Sequence, residues 1–170
     1  MNSLEITLVS KSHVQSILKS RQKYMSGLRT EHFITPEMQD RFYENVICNE
    51  NSKHRYVSFI KKQDGFVGIG GITNISWSNR TGEISLILMP GYIGQGIGSE
   101  CVQHLLDYGF NRLNMQNIYG ECYESNPFVK FWERVANKHD MYTTKLPNRK
   151  YWEGKYFDSL YFSKVNETKK

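Results

Sequence analysis

No apolar run in this sequence approaches the ~20 residues that a membrane-spanning helix needs. The longest, such as Ile84 to Met89, fall far short, which excludes a helical membrane protein. Between Met1 and Ser10 there is no basic start, no apolar stretch and no small-residue cleavage site of the kind a signal peptide carries, so a cytoplasmic chain is expected. Cysteine is scarce. Cys48, Cys101 and Cys122 form no Cys-x-x-Cys pair, which argues against a disulfide framework or a zinc knuckle and reads the thiols as small core fillers. In that compartment the sequons at Asn74, Asn79 and Asn166 carry no sugar. The histidines, His13, His32, His54, His104 and His139, show no ligand spacing, and no metal site is expected.

Long runs of one charge are missing as well. The 22 Lys and Arg against 17 Asp and Glu give a net charge of +5, which favours anionic partners by long-range attraction. The basic residues are scattered, however, with no run of five like charges, so neither nucleic acid nor a membrane is an expected partner. There is no linker, repeat or low-complexity stretch. Residues 1–170 are read as one domain, with only Lys169 and Lys170 as a frayed tail.

What the chain does have is enough apolar residues, 39%, over 170 positions to build a core unaided. Leu4, Ile6 and Leu8 alternate as a strand does. Val14, Ile17, Leu18, Arg21 and Met25 then recur at helical spacing, with Ser12 available as a cap. Thr35-Pro36 opens a second helix bearing Met38, Phe42, Val46 and Ile47. Tyr56 to Ile60 and Phe66 to Ile72 flank a turn at Gln63, Asp64 and Gly65 and predict a hairpin, with Gly68, Gly70 and Gly71 marking a bend or close packing. Glu83 to Met89 is the best strand. Beyond it come a glycine-rich loop, a helix through Ile97, Cys101, Val102, Leu105, Leu106 and Phe110, a strand at Ile118 to Tyr123, a helix opened by Pro127 and a closing strand at Tyr156 to Phe162. This order is an α/β pattern.

Gly91, Gly94, Gly96 and Gly98 lie between the strongest strand and a strong helix, where a chain without β-carbons can bring several N–H groups to an anion. The helix dipole adds partial positive charge and Ser99 a hydroxyl. A phosphate is the natural guest. Ile97 follows Gly96 where a Walker loop needs lysine, and Ser99 stands where the dinucleotide fingerprint needs glycine, so neither motif applies. The plainer alternative is a turn that only packs a helix on a sheet.

The run GEISLILMPGYIGQGIGSE, Gly82 to Glu100, resembles the acetyl-CoA-binding core of the GNAT superfamily of N-acetyltransferases, and more narrowly the RimJ/RimL-like branch that acetylates ribosomal-protein N-termini. Glu83, Leu86, Leu88, Pro90, Tyr92, Gly94, Gln95, Gly96 and Glu100 stand in register with that branch. Tyr108 to Phe110, Glu121 to Asn126 and Gly154 to Phe162 extend the likeness over roughly the second half of the chain. It implies an α/β (α+β) fold with a mixed central sheet of about seven strands, the fourth and fifth splayed apart, flanked by about four helices. It also implies acetyl-CoA as co-substrate. The backbone at Leu86 and Leu88 would pair with the pantetheine amides, the loop Ile93, Gly94, Gln95, Gly96, Ile97, Gly98 and Ser99 would hold the pyrophosphate, and Asn126 would bond the cofactor or cap the next helix.

Making an amide from a thioester requires an amine stripped of its proton, usually by a base acting through water, and a proton for the departing thiolate. Glu121 matches the base of relatives with glutamate five residues before the loop asparagine, and Glu83 the glutamate that opens the fourth strand in the RimJ/RimL-like pattern. Partial burial would raise the pKa of either and suit it to the task. The plainer alternative for each is a salt-bridged strand residue. The usual acid, a tyrosine in the helix after Asn126, has no counterpart here. The chain has Phe131-Trp132-Glu133, with Val129 at the branch's serine, and leaves Ser125, Tyr123 and Tyr142 as weak substitutes. A covalent route through Cys122 is conceivable, though a buried inert thiol is commoner. The expected activity is direct acetyl transfer to a primary amine, either a protein N-terminus or a small molecule. Arg21 to Glu31 and Leu146 to Trp152 would wall the acceptor site, and an acidic acceptor would suit Arg149 and Lys150. The missing tyrosine motivates the alternative, a non-catalytic CoA-binding module. A homodimer is left open.

Overall fold

The computed structural model describes residues 4–30 and 32–168. Met1 to Ser3 of the stretch expected to carry no signal peptide, Glu31 at the end of one expected acceptor wall, and the expected tail Lys169 and Lys170 lie outside the described residues.

Seven strands, β1 (Leu4–Thr7), β2 (Arg55–Lys61), β3 (Gly65–Ser76), β4 (Thr81–Leu88), β5 (Asn117–Tyr123), β6 (Tyr142–Trp152) and β7 (Lys155–Val165), form one mixed sheet in the order β1-β2-β3-β4-β5-β7-β6. Neighbours run antiparallel except β4 and β5, which are parallel. The expected hairpin is β2–β3, turned by Asp64 N–H donating to the Lys61 carbonyl at 3.0 Å. Gly70 in β3 does pack closely: a β-carbon there would lie 2.8 Å from Leu105 and 2.9 Å from Phe59.

The helices are α1 (Lys11–Ser16), α2 (Leu18–Lys23), α3 (Pro36–Phe42), α4 (Ile97–Asp107) and α5 (Val129–Lys138). The single helix expected from Val14 to Met25 is interrupted at Ile17, and Met25 falls in the 3₁₀ turn Met25–Gly27. Its cap is Ser10 rather than Ser12. Ser10 Oγ accepts from His13 N at 3.2 Å, His13 Nδ1 accepts from Ser10 N in return at 3.3 Å, and Ser12 only shares a hydrogen bond with the Ser10 hydroxyl. Thr35 and Pro36 start α3 as expected, Thr35 Oγ1 accepting from Met38 N at 3.3 Å. α3 and α4 each run on into a π-type turn, Tyr43–Ile47 and Tyr108–Arg112.

The core lies between the sheet and α4 and α5. Phe59, Ile72, Leu105, Met115, Ile118 and Phe162 are fully buried there, each contributing roughly 1.5–3 kcal/mol. A smaller cluster of Val9, Val14, Ile17 and Ile69 fixes the first helices to the sheet.

One irregularity positions everything that follows. β4 and β5 pair only through Thr81↔Asn117, Gly82↔Ile118 and Glu83↔Tyr119. β5 then stays with β7 through Tyr123↔Ser159, so Ile84 to Leu88 diverge from it and leave a V. This is the splay that the family resemblance implies. No helix among the described residues is long and apolar enough to cross a membrane.

Candidate functional site

Two cavities meet in the V. The first, about 380 Å³, lies toward the glycine loop, and eight of the residues expected to hold a cofactor line it: Leu86, Leu88, Ile93, Gly94, Gly96, Gly98, Ser99 and Asn126. Gly94 at φ +83° and Gly96 at φ +80° adopt the left-handed conformation that L side chains rarely accept, and a β-carbon on either would project into open space. No side chain caps α4 at Gly96. Ser99 N–H donates to the Gly96 carbonyl at 3.1 Å, which leaves the N–H groups before it in the first turn beside a recess that Gly94, Gly96 and Gly98 keep open, a fit for a pyrophosphate. Gln95 and Ile97 are placed otherwise. They line a smaller neighbouring recess with Lys61 and Glu100; Ile97 is buried in the core and Gln95 Nε2 braces the loop by donating to the Gly91 carbonyl at 2.7 Å. Any part they take in holding a ligand falls to their backbone. Past Glu83 the β4 edge no longer pairs with β5, which suits Leu86 and Leu88 to bonding an extended amide-bearing arm.

The second cavity, about 300 Å³, shares Arg21, Leu28, Leu86, Ile87, Asn126 and Trp132 with the first. Glu83 and Glu121 both line it, so the two glutamates singled out from the sequence are brought together. A single guanidinium nitrogen, Arg29 Nη2, pairs with Glu83 Oε1 and lies 3.7 Å from Glu121 Oε2. Glu83 Oε2 accepts from Asn74 Nδ2 at 2.7 Å. Glu121 Oε1 accepts from Arg149 Nε at 2.9 Å and Ser159 Oγ at 2.7 Å. Burial pushes the Glu121 carboxyl up, but those two hydrogen bonds and the charges of Arg149 and Arg29 outweigh it and hold the group below the ordinary range. For Glu121 the expected upward shift is therefore reversed.

Arg29 belongs to a strap, residues 24–30, that crosses the V. Ser125 Oγ donates to the Ser26 carbonyl at 2.6 Å, Asn126 Nδ2 to the Gly27 carbonyl at 3.4 Å and Lys150 Nζ to the Leu28 carbonyl at 3.0 Å. Tyr24 packs edge-on against Phe128, and Arg21 Nη2 reaches Thr30 Oγ1 at 3.4 Å. The strap thus forms a wall of the second cavity through Gly27, Leu28, Arg29 and Thr30. Asn126 does not cap α5, which has no side-chain cap; its Oδ1 accepts from Phe128 N at 2.8 Å and braces the turn before the helix.

The remaining candidates separate clearly. Ser125 spends its proton on the strap, and Tyr142 is 65% exposed on β6, lining neither cavity. Tyr123 lines the second cavity, its phenol pushed up by burial and by Glu121 and Glu83 against the opposing pull of Arg29 and Arg149. Trp132 lines both cavities, stacked on Phe162 at 5.1 Å. Cys122 is buried, and its thiol is pushed up to about 12, leaving almost no thiolate at neutral pH. Among the described residues no group of His, Cys, Asp and Glu is arranged to hold a metal ion. Arg29, Asn74, Ser159 and Tyr24 were not singled out as site residues. Tyr24 and Arg29 lie in the expected acceptor wall, but nothing local in the sequence marks them, because the contacts that define them span the fold.

Comparison with known proteins gives the same architecture. A model of the acetyltransferase (GNAT) domain matches residues 4–135. The uncharacterized N-acetyltransferase p20 of Bacillus licheniformis is 33% identical over 93 residues, 54% of this chain and 52% of that protein. The chain thus spans about half the length of this relative. The ribosomal-protein-serine acetyltransferase of Escherichia coli is 27% identical over 131 residues, 74% of this chain and 73% of that protein. The crystal structure of spermidine N-acetyltransferase from Vibrio cholerae in complex with CoA and spermine shares the fold at a TM-score of 0.81 and 17% identity, covering 95% of each chain.

Proposed function

The chain belongs to the GNAT acetyltransferase family, and we propose that it transfers the acetyl group of acetyl-CoA directly to a primary amine in the cytoplasm. The observation that carries this is the V itself. A glycine-rich loop shaped to cradle an anion lines one cavity, two carboxylates line the other, and the two cavities share the wall at Leu86, Ile87, Asn126 and Trp132. The N–H groups of Gly94 to Ser99 would hold the pyrophosphate and the β4 backbone at Leu86 and Leu88 the pantetheine arm. Bound there, acetyl-CoA supplies an activated acyl carbon.

The chain's own residues do the rest. The amine enters the second cavity beneath the strap, where Glu83 and Glu121 attract it as an ammonium. Glu121, ionised and tied to Arg149 and Ser159, orients it. Glu83 stands at the last β4–β5 pair, where the V opens, and takes the amine's proton through water. Asn74 fixes its carboxylate; Arg29 must yield or share its place. Tyr24 is the phenol lining the first cavity and returns a proton to the thiolate where Trp132 cannot.

Both acceptor classes remain represented among the relatives, a ribosomal protein in one and spermidine in another. Matching over 74% of the chain to the ribosomal-protein enzyme supports kinship with the RimJ/RimL-like branch. A second function, CoA binding without transfer, is favoured by one observation: each carboxylate is covered by an arginine. Thiol release from acetyl-CoA in the presence of N-terminal peptides, polyamines and amino sugars separates the two. Release that depends on an amine supports transfer, and binding with no release under any of them supports the module.

A further inference from the structure

β3 carries one residue too many opposite β4. Thr73 pairs with Glu83 and Ser76 with Thr81, so Asn74 and Ile75 together face Gly82 alone. The extra residue makes a β-bulge, a device that re-aims a side chain. Asn74 takes φ +49°, in the left-handed region that asparagine enters more readily than most residues. In that conformation its side chain reaches the carboxylate, Nδ2 donating to Glu83 Oε2 at 2.7 Å. The bulge also displaces backbone donors from the β3–β4 ladder. Ile75 N–H finds the Lys53 carbonyl at 2.9 Å, whereas Asn74 N–H finds a side chain and donates to His54 Nδ1 at 3.3 Å. His54, Asn74 and Glu83 all line the second cavity, and the His54 ring stacks beside Tyr56 with centroids 6.2 Å apart. A ring nitrogen accepts only when it carries no proton, so this bond requires a neutral imidazole protonated at Nε2.

We propose that His54 is a positioning residue for the acetyl transfer: its neutral ring fixes the Asn74 backbone in the bulge, and Asn74 in turn fixes the Glu83 carboxylate that takes the amine's proton. This rests on the transferase function proposed above. When His54 is protonated, Nδ1 becomes a donor facing another donor, and Asn74 N–H must move away. Glu83 then keeps Arg29 on one oxygen and loses the amide that orients the other. Burial, then the charge of Arg55, holds the His54 ring below the ordinary histidine range, so the neutral form prevails at neutral pH. The other titratable groups around it are Tyr56 on the same strand and, across the cavity, Arg21, Arg29, Glu83, Glu121 and Tyr123.

The test is the pH dependence of kcat at saturating amine and acetyl-CoA. His54→Phe keeps an aromatic ring beside Tyr56 but no acceptor, and should lower kcat about tenfold or more with acetyl-CoA affinity unchanged. His54→Asn offers an acceptor that does not titrate. It should recover most of that loss, and the fall in kcat that the native protein shows below pH about 6.5 should move to lower pH. Nitrogen-15 spectra of the native protein should show His54 protonated at Nε2, with the Asn74 amide shift following the His54 titration, a readout that needs neither turnover nor a folded variant. Native kcat in His54→Phe, an unmoved acid limb in His54→Asn, or an Asn74 amide indifferent to the His54 titration would each overturn the proposal. Failure of the transferase function has a different signature, an Asn74 amide that follows His54 in a native protein with no amine-dependent release of thiol from acetyl-CoA.

Discussion

Gly27 of the strap and Asn126 of the β5–α5 loop are in such close contact that a β-carbon on Gly27 would lie 2.5 Å from Asn126 Cγ. The asparagine amide donates to the Gly27 carbonyl, so the strap is seated on the same residue that braces the turn before α5. Gly27→Val should therefore lift the strap and destabilise the protein by about 1–3 kcal/mol, as overpacking does. Thermal denaturation reads the stability. Kinetics should show a larger rise in KM for the amine than for acetyl-CoA, and equal rises would mean that the strap does not wall the acceptor site.

Glu83→Gln should leave acetyl-CoA affinity intact and lower kcat by roughly 10²–10⁴, the range for losing a general base. Glu121→Gln removes an orienting group that already sits below the ordinary carboxylate range, and should act more on acceptor KM than on kcat. Full turnover at neutral pH in both variants would remove the glutamates from the mechanism.

Gly96→Val forces a β-branched residue into φ +80° and puts its side chain into the cradle. Cofactor binding by calorimetry should be lost while circular dichroism keeps the native spectrum. Retained binding would show that the pyrophosphate is held elsewhere.

The thiols give a simple chemical check. Cys101 and Cys122 are buried, each pushed up to about 12 by burial first, whereas Cys48 is exposed. An aromatic disulfide reagent at neutral pH should titrate Cys48 in the native protein and the other two only after denaturation. Rapid native labelling of Cys122 would reopen a covalent route.

Glu121 also predicts a pH dependence. Its folded-state pKa lies below its unfolded value, so its pairing contributes stability that is complete above the ordinary glutamate value, about 4.3, and is lost as pH falls through the depressed one. The difference in urea midpoint between the native sequence and Arg149→Gln should narrow as pH drops from neutrality into that window. A constant difference would mean that Arg149 acts by packing alone.

Much of the cofactor half was legible in the sequence because its signals are local. A strong strand, four glycines and an amphipathic helix follow one another, and the loop's placement needs no distant contact. β6 was not read from the residues, although it lies in a segment expected to wall the acceptor. It is an edge strand with most side chains exposed, it contains Pro147, and its pairing shifts between Leu146 and Lys150, so no alternation survives. The split at Ile17 and the π-type turns are likewise invisible to a periodicity test, since apolar spacing continues through them. Arg29 escaped for a different reason. Its partners lie 54 and 92 positions away, and only the sheet brings them together.

The most direct test is a single-turnover reaction with acetyl-labelled acetyl-CoA, comparing the protein alone with the protein plus, in turn, an N-terminal peptide, a polyamine and an amino sugar. Direct transfer predicts label in the amine only when it is present, with equal thiol release and no label on the protein. Label fixed to the protein without acceptor, or cofactor bound with no amine-dependent release for any acceptor class, would contradict it.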